Sequence, residues 1–296
     1  ANRVWLLLEK FANYGFNKSH AAAYALVSYQ TCWLKANYPI EYMAAVMNND
    51  INYTDKISLY KHEVNELGIC LLPPSLNKSI EVFIVDSNKI IYALGALKNV
   101  GIESMKNIIE ERNKEGFFQD IFDFANRVEL RKIGKRSLEM LIYAGVFDEI
   151  HSNRKQLFQS IDILVEYSNL CFAEKNTGQN NLFGESNDLL SYPDLKLIDD
   201  WDNSEKLKKE YESVGFYLSS HPLDEYSKWF KSKNICKFSE LNDLLKSGPK
   251  LIKMSGSIIS KQERISNKGN KFAFIQFSDP SGFFEATAFS DILELY

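Results

Sequence analysis

The sequence predicts a mainly α-helical, multi-domain chain that ends in the opening strands of a small β-barrel. Three observations carry this. Apolar residues recur at helical spacing through most of the first 170 positions. Two short strand-like runs, 81–85 and 90–93, interrupt them around a polar turn, and beyond Leu251 the pattern changes to alternation between turn signals. With 296 residues, 45% hydrophobic and 25% charged, the chain has apolar material for about two compact domains and is not disordered as a whole. No apolar run approaches the roughly 18 residues needed to cross a bilayer, and no signal peptide opens the chain. A cytoplasmic protein without membrane contact is expected, and the helix-like start at Ala1 suggests a piece of something longer.

In order, Val4, Leu7, Leu8 and Phe11 lie at helical spacing and are expected to bury one face. A second helix is expected from Ser19, a capping residue, to Asn37. Pro39 stops it and opens a short helix to about Met47. Residues 55–67 form another, ended by Gly68. Helices follow at 104–112, 121–126, 137–143 and 151–172. Residues 174–203 turn polar and acidic and are expected to be a linker. Strands are expected at 251–260, 271–278 and 283–289, with turns at 266–270 and 279–282. Five strands are needed to close an oligonucleotide-binding (OB) barrel, so three make only its first part.

Net charge is −4, from 35 basic and 39 acidic residues, and the distribution is more informative than the sum. Residues 127–136 hold five basic residues against one acidic, and 246–272 hold seven against one. Residues 160–212 hold twelve acidic against five basic. Basic islands separated by an acidic connector suit a protein that meets phosphate at chosen places. Cys32, Cys70, Cys171 and Cys236 are far apart and form no CxxC pair, which argues against both a zinc site and a disulfide framework; no metal ligands are assigned.

Two segments have the form of phosphate-binding elements. Leu97-Lys98-Asn99-Val100-Gly101-Ile102 is a glycine turn before an amphipathic helix, an arrangement that points backbone amides at an anion. Thirty-three residues later, Leu130-Arg131-Lys132-Ile133-Gly134 precedes Lys135-Arg136-Ser137 and a second such helix. The echo resembles a tandem helix-hairpin-helix, which grips the duplex backbone without reading bases. Lys98, Asn99, Gly101, Lys132, Gly134, Lys135 and Arg136 are its candidate DNA contacts. The usual hairpin has another Gly two positions earlier, where Asn99 and Lys132 stand. Asn tolerates positive φ, so the first turn accommodates the change more easily than the second. Separately, Lys18 and His20 flank a helix start, where the macrodipole favours negative charge, and Tyr24 lies one turn on. That pattern fits a triphosphate-and-base contact or an ordinary capped core helix.

Several strings together are more specific. FANYGFNKSHAAAYALVSYQT (11–31), LPPSLN (72–77), LGALKNVG (94–101), LIYAGVFD (141–148) and GFYLSSHPLDEY (215–226) resemble, in order, the C-terminal part of the bacterial replicative DNA polymerase III alpha subunit family. The resemblance covers essentially the whole chain. It implies that residues 1–45 close the polymerase fingers, where Lys18, His20 and Tyr24 would meet the incoming deoxynucleoside triphosphate. It implies a tandem helix-hairpin-helix duplex-binding domain over 46–150, a helical and acidic connector over 151–245, and the N-terminal part of an OB domain over 246–296. Within the connector, Gln179-Asn180-Asn181-Leu182-Phe183 looks like the Q-x-x-L-F peptide that grips the sliding clamp, with Leu182 and Phe183 as anchors and Gln179 setting register. Other holoenzyme subunits are implied partners, and Mg2+ is implied for the full polymerase.

In the partial barrel, Lys261, Arg264, Lys268 and Lys271 surround a hairpin beside Phe272, Phe274 and Phe277, as suits single-stranded DNA. Alternation puts Phe272 and Phe274 on one face and Phe277 on the other. All three could instead be core. Phosphoryl transfer needs acidic residues holding two metal ions. Asp199, Asp200 and Asp202 lie in the acidic connector and read as solvated, and the family's carboxylates lie N-terminal to Ala1. The segment alone is therefore expected to be inactive. The alternative is a stand-alone, non-catalytic DNA-binding accessory protein, which an upstream reading frame with paired aspartates would exclude.

Overall fold

The computed structural model describes residues 2–14, 18–177, 191–246, 248–249, 251–266 and 269–295. Helix α1 (Asn2–Tyr14) and α2 (Lys18–Asn37) come first. The expectation that α1 buries a face is not met. Leu7 is 62% exposed and Leu8 55%, because among the described residues nothing packs on that face. α2 is likewise exposed for most of its length until a Lys35–Glu63 ion pair fastens its end.

Helices α3 (Pro39–Asn49) and α4 (Thr54–Glu66) begin the packed body. They lie beside a small sheet of β1 (Cys70–Leu72), β2 (Ile84–Asp86) and β3 (Lys89–Ile91), in the order β1-β3-β2. Pairing of β1 with β3 is parallel, and that of β2 with β3 antiparallel. β1 was not foreseen, since three half-exposed residues carry no alternation. Next come α5 (Ile102–Glu115), α6 (Ile121–Arg127), the single turn α7 (Leu130–Ile133) and α8 (Lys135–Tyr143). Asp120 caps α6 by accepting from the amides of Phe122 and Asp123, both at 2.8 Å.

Residues 151–172, expected as one helix, are two: α9 (Arg154–Gln159), capped by Asn153, and α10 (Ile161–Thr177). Of the linker expected over 174–203, residues 174–177 belong instead to α10, and 191–202 have no regular secondary structure yet are fastened down. Tyr192 stacks on Phe122 at 4.7 Å, and Asn153 and Gln156 donate to the carbonyls of Ile198 and Lys196 at 2.7 and 3.0 Å. α11 (Asn203–Val214) then packs on α8. One apolar core joins these elements, from Met43 and Met47 through Tyr92, Met105, Phe124 and Leu141 to Leu164, Val214 and Phe216. Arg112 crosses it, buried, donating to the carbonyls of Leu76 and Ser79 at 2.7 and 2.8 Å.

Short helices α12 (Ser227–Ser232) and α13 (Leu241–Leu245) lead to an antiparallel meander of β4 (Ser257–Ile265), β5 (Lys271–Asp279) and β6 (Gly282–Phe289), then α14 (Ser290–Leu293). The sheet is not a closed barrel, in keeping with a partial OB-like unit. It docks on the helical body through His221, whose Nε2 lies 3.0 Å from the Ser278 hydroxyl, and through Phe283, packed against the main core. His221 Nδ1 accepts from the Leu223 amide at 3.1 Å, which leaves Nε2–H as the donor to Ser278.

Candidate nucleic-acid interface

The first hairpin turn runs from the short 3-10 turn Leu94–Ala96 into α5. Asn99 takes φ 58°, the left-handed conformation its residue type tolerates. Gly101 follows at φ −75°, exposed, as the residue that starts α5. The second turn is built differently. Lys132 remains within α7, and Gly134 makes the reversal at φ 84°, ψ 145°. Because Lys132 can only enter the left-handed region at a cost, the reversal falls two residues later than in the first hairpin. The Ser137 hydroxyl donates to the Asn99 carbonyl at 3.0 Å, so the start of α8 lies against the first turn.

The cations around these turns are in different electrostatic states. Lys98 is exposed and has no carboxylate partner among the described residues. Lys132 pairs with Glu129 at 2.6 Å. Lys135 contacts both oxygens of Asp162 at 2.8 and 2.9 Å, and this bond raises its pKa. Arg136 is held by Glu139 at 2.9 Å and Glu212 at 3.0 Å, which raise its pKa further. Arg127, counted in the basic island, is not part of a charged surface. Its side chain is 9% exposed, lies over the Phe118 ring at 4.3 Å, and donates to the carbonyls of Glu111 and Gly116 at 3.1 and 2.9 Å. The carboxylate partners were not foreseen, because Asp162 and Glu212 lie 27 and 76 residues from the cations they meet.

At the other expected sites, the geometry is simpler. His20 and Tyr24 share a face of α2 with ring centroids 4.2 Å apart, and Tyr24 is exposed. Lys18 opens that helix, and its side chain lies outside the described residues. Gln179, Leu182, Phe183 and Lys268 are also outside them. On the sheet, Phe272 and Phe274 meet edge to face at 5.4 Å, with the Arg264 guanidinium 5.5 Å from the Phe274 centroid. Phe277 turns the other way and stacks on Phe284 at 5.3 Å. Lys271 is exposed, while Lys261 pairs with Glu263 at 2.8 Å. Phe274 thus joins Phe272 in the aromatic-cation face; alternation is the signal that finds it.

Residues 68–157, which contain both turns, match the family model described as a helix-hairpin-helix motif. The chain is 41% identical over 282 residues to the DNA polymerase III subunit alpha of Caulobacter vibrioides, covering 95% of this chain and 25% of that protein. It is 40% identical over 304 residues to the Borreliella burgdorferi subunit and 36% over 303 residues to that of Escherichia coli, each covering 100% of this chain and 26% of the relative. The chain aligns, nearly end to end, with one segment of the DNA polymerase III alpha subunit. It spans about a quarter of the length of the curated relatives it matches. No helix among the described residues is long and apolar enough to cross a membrane.

Proposed function

We propose that this chain works in template-directed DNA synthesis during chromosome replication, as the segment of a DNA-directed DNA polymerase that holds the duplex by its phosphate backbone. The observation that carries the reading is the Ser137–Asn99 hydrogen bond, which sets two helix-hairpin-helix turns side by side with Lys98, Asn99, Gly101, Lys135 and Arg136 around them. The backbone amides at the starts of α5 and α8 and the flanking cations suit phosphate oxygens and carry no sequence information.

The finer contacts extend the same reading. His20 and Tyr24, with Lys18, would meet the incoming nucleotide, and Gln179, Leu182 and Phe183 would engage the sliding clamp. The Arg264, Lys271, Phe272 and Phe274 face would stack single-stranded bases. Further holoenzyme subunits would join the same cytoplasmic assembly. Mg2+ is a different matter. Among the described residues, no three His, Cys, Asp or Glu side chains are grouped to hold a metal ion, so these residues do not fit a metal centre. The reading leaves phosphoryl transfer to carboxylates outside them.

The test is Lys98→Glu combined with Lys135→Glu, with fluorescence anisotropy on unrelated duplexes over a salt series. Losing the Lys98 contact and the Lys135 contact flattens the slope of log K against log salt by between about 1 and 2, the full second unit being reached only if Lys135 meets phosphate unopposed, and weakens binding to every sequence alike. Unchanged affinity and slope would remove the assignment.

A further inference from the structure

Two cations of the second hairpin, Lys135 and Arg136, are met by carboxylates from distant elements, Arg136 in addition to its local partner Glu139. Asp162, in the first turn of α10, takes both its oxygens to the Lys135 ammonium, and Glu212, in the last turn of α11, takes the Arg136 guanidinium. These are surface pairs, with Asp162 and Glu212 side chains 78% and 43% exposed. Pairs of this kind add little to stability. Glu212 is also poorly placed for its own helix, since a negative charge in the last turn opposes the macrodipole. Its nearest other cation, Lys209, is 4.0 Å away, farther than Arg136. What both carboxylates do accomplish is to occupy the donors that a phosphate oxygen would use. Lys98 at the first hairpin meets no such competitor among the described residues.

We propose that Asp162 and Glu212 are built-in competitors for the phosphates of duplex DNA, setting the affinity of the second hairpin below that of the first. The inference rests on the duplex-binding reading above and adds its regulation. Each binding event at this hairpin exchanges a carboxylate partner for a phosphate, and each release restores it. The segment therefore grips at the first turn and yields at the second, which suits a protein that must let the duplex advance.

The experiment compares Asp162→Asn, Glu212→Gln and their combination in the full 296-residue chain, by anisotropy with a labelled duplex over a salt series. Both are exposed, nearly isosteric changes, and thermal unfolding checks that the fold persists. Asp162→Asn is expected to tighten binding about two- to fivefold, in line with the worth of an exposed ion pair, and to steepen the salt slope by up to about 0.9. Glu212→Gln should act in the same direction but less, because Glu139 still holds Arg136. In a Lys135→Gln background, Asp162→Asn should change nothing, which separates competition at one cation from a general gain of positive charge. Tightening that persists in that background overturns the proposal. So does unchanged affinity in the carboxylate variants while Lys135→Gln with Arg136→Gln weakens binding, and that outcome leaves the duplex reading intact. If the cation variants also bind normally, both readings fall.

Discussion

The two hairpin turns share a motif and meet its backbone demand at different residues. In the first, the chain reverses on Asn99 at φ 58°, and Gly101 has an ordinary φ of −75°. In the second, Lys132 stays helical and the reversal falls on Gly134 at φ 84°. The same letter therefore has two meanings. Gly134 answers a conformational need of the fold, whereas nothing in the fold requires glycine at 101. A Cβ there would meet the Ser104 hydroxyl at 3.6 Å, an ordinary contact. On the proposed duplex reading, an exposed turn without a side chain at Gly101 would let a phosphate come close to the backbone.

The largest expected effect tests that contrast directly. Gly134→Ala has open space for its methyl group, so the cost is purely conformational. It should destabilise the chain by about 2–3 kcal/mol, read from the urea midpoint. Gly101→Ala should leave stability within about 0.5 kcal/mol and still lower duplex affinity. Equal destabilisation by the two substitutions would erase the distinction.

Next in size is Asn99. A β-branched residue at its φ is strained, so Asn99→Val should cost about 1–2 kcal/mol. Asn99→Gly should stay within a few tenths, because glycine enters that region freely. If valine is tolerated as well as glycine, the first reversal is not at this residue.

Much of this was legible beforehand, for physical reasons that also mark the limit. Helical periodicity located α5, α6 and α8 because each buries one apolar stripe, and a positive φ at Asn99 agrees with its standing where the usual hairpin has a Gly and with the tolerance of its residue type. Alternation separated Phe272 from Phe277. The polar stretch leading to Trp201 read as a linker because hydrogen bonds from Asn153 and Gln156 to its carbonyls leave no periodic trace. Exposure of the apolar face of α1 depends on what surrounds it, which periodicity does not encode. The pairing of Arg136 with Glu212 was hidden because it arises from packing α11 on α8. Composition counted Arg127 as surface charge, whereas the fold spends it on two carbonyls and a phenyl ring.

A small stability effect, that of Ser137, is the most informative about coupling. Ser137→Ala removes the hydrogen bond between the turns, and since that bond is exposed, water replaces much of it. The cost should be near 0.5 kcal/mol. On the proposed duplex reading, binding should suffer more than stability, because the bond would hold the two turns in register and independent sites would each meet the duplex at a separate entropic cost. Combining Ser137→Ala with Lys98→Glu should then give a less than additive loss of affinity, since a turn that has lost its cation has little register left to lose. Strict additivity in that double-mutant cycle would mean that the two hairpins bind as separate modules, different in construction and unconnected in action.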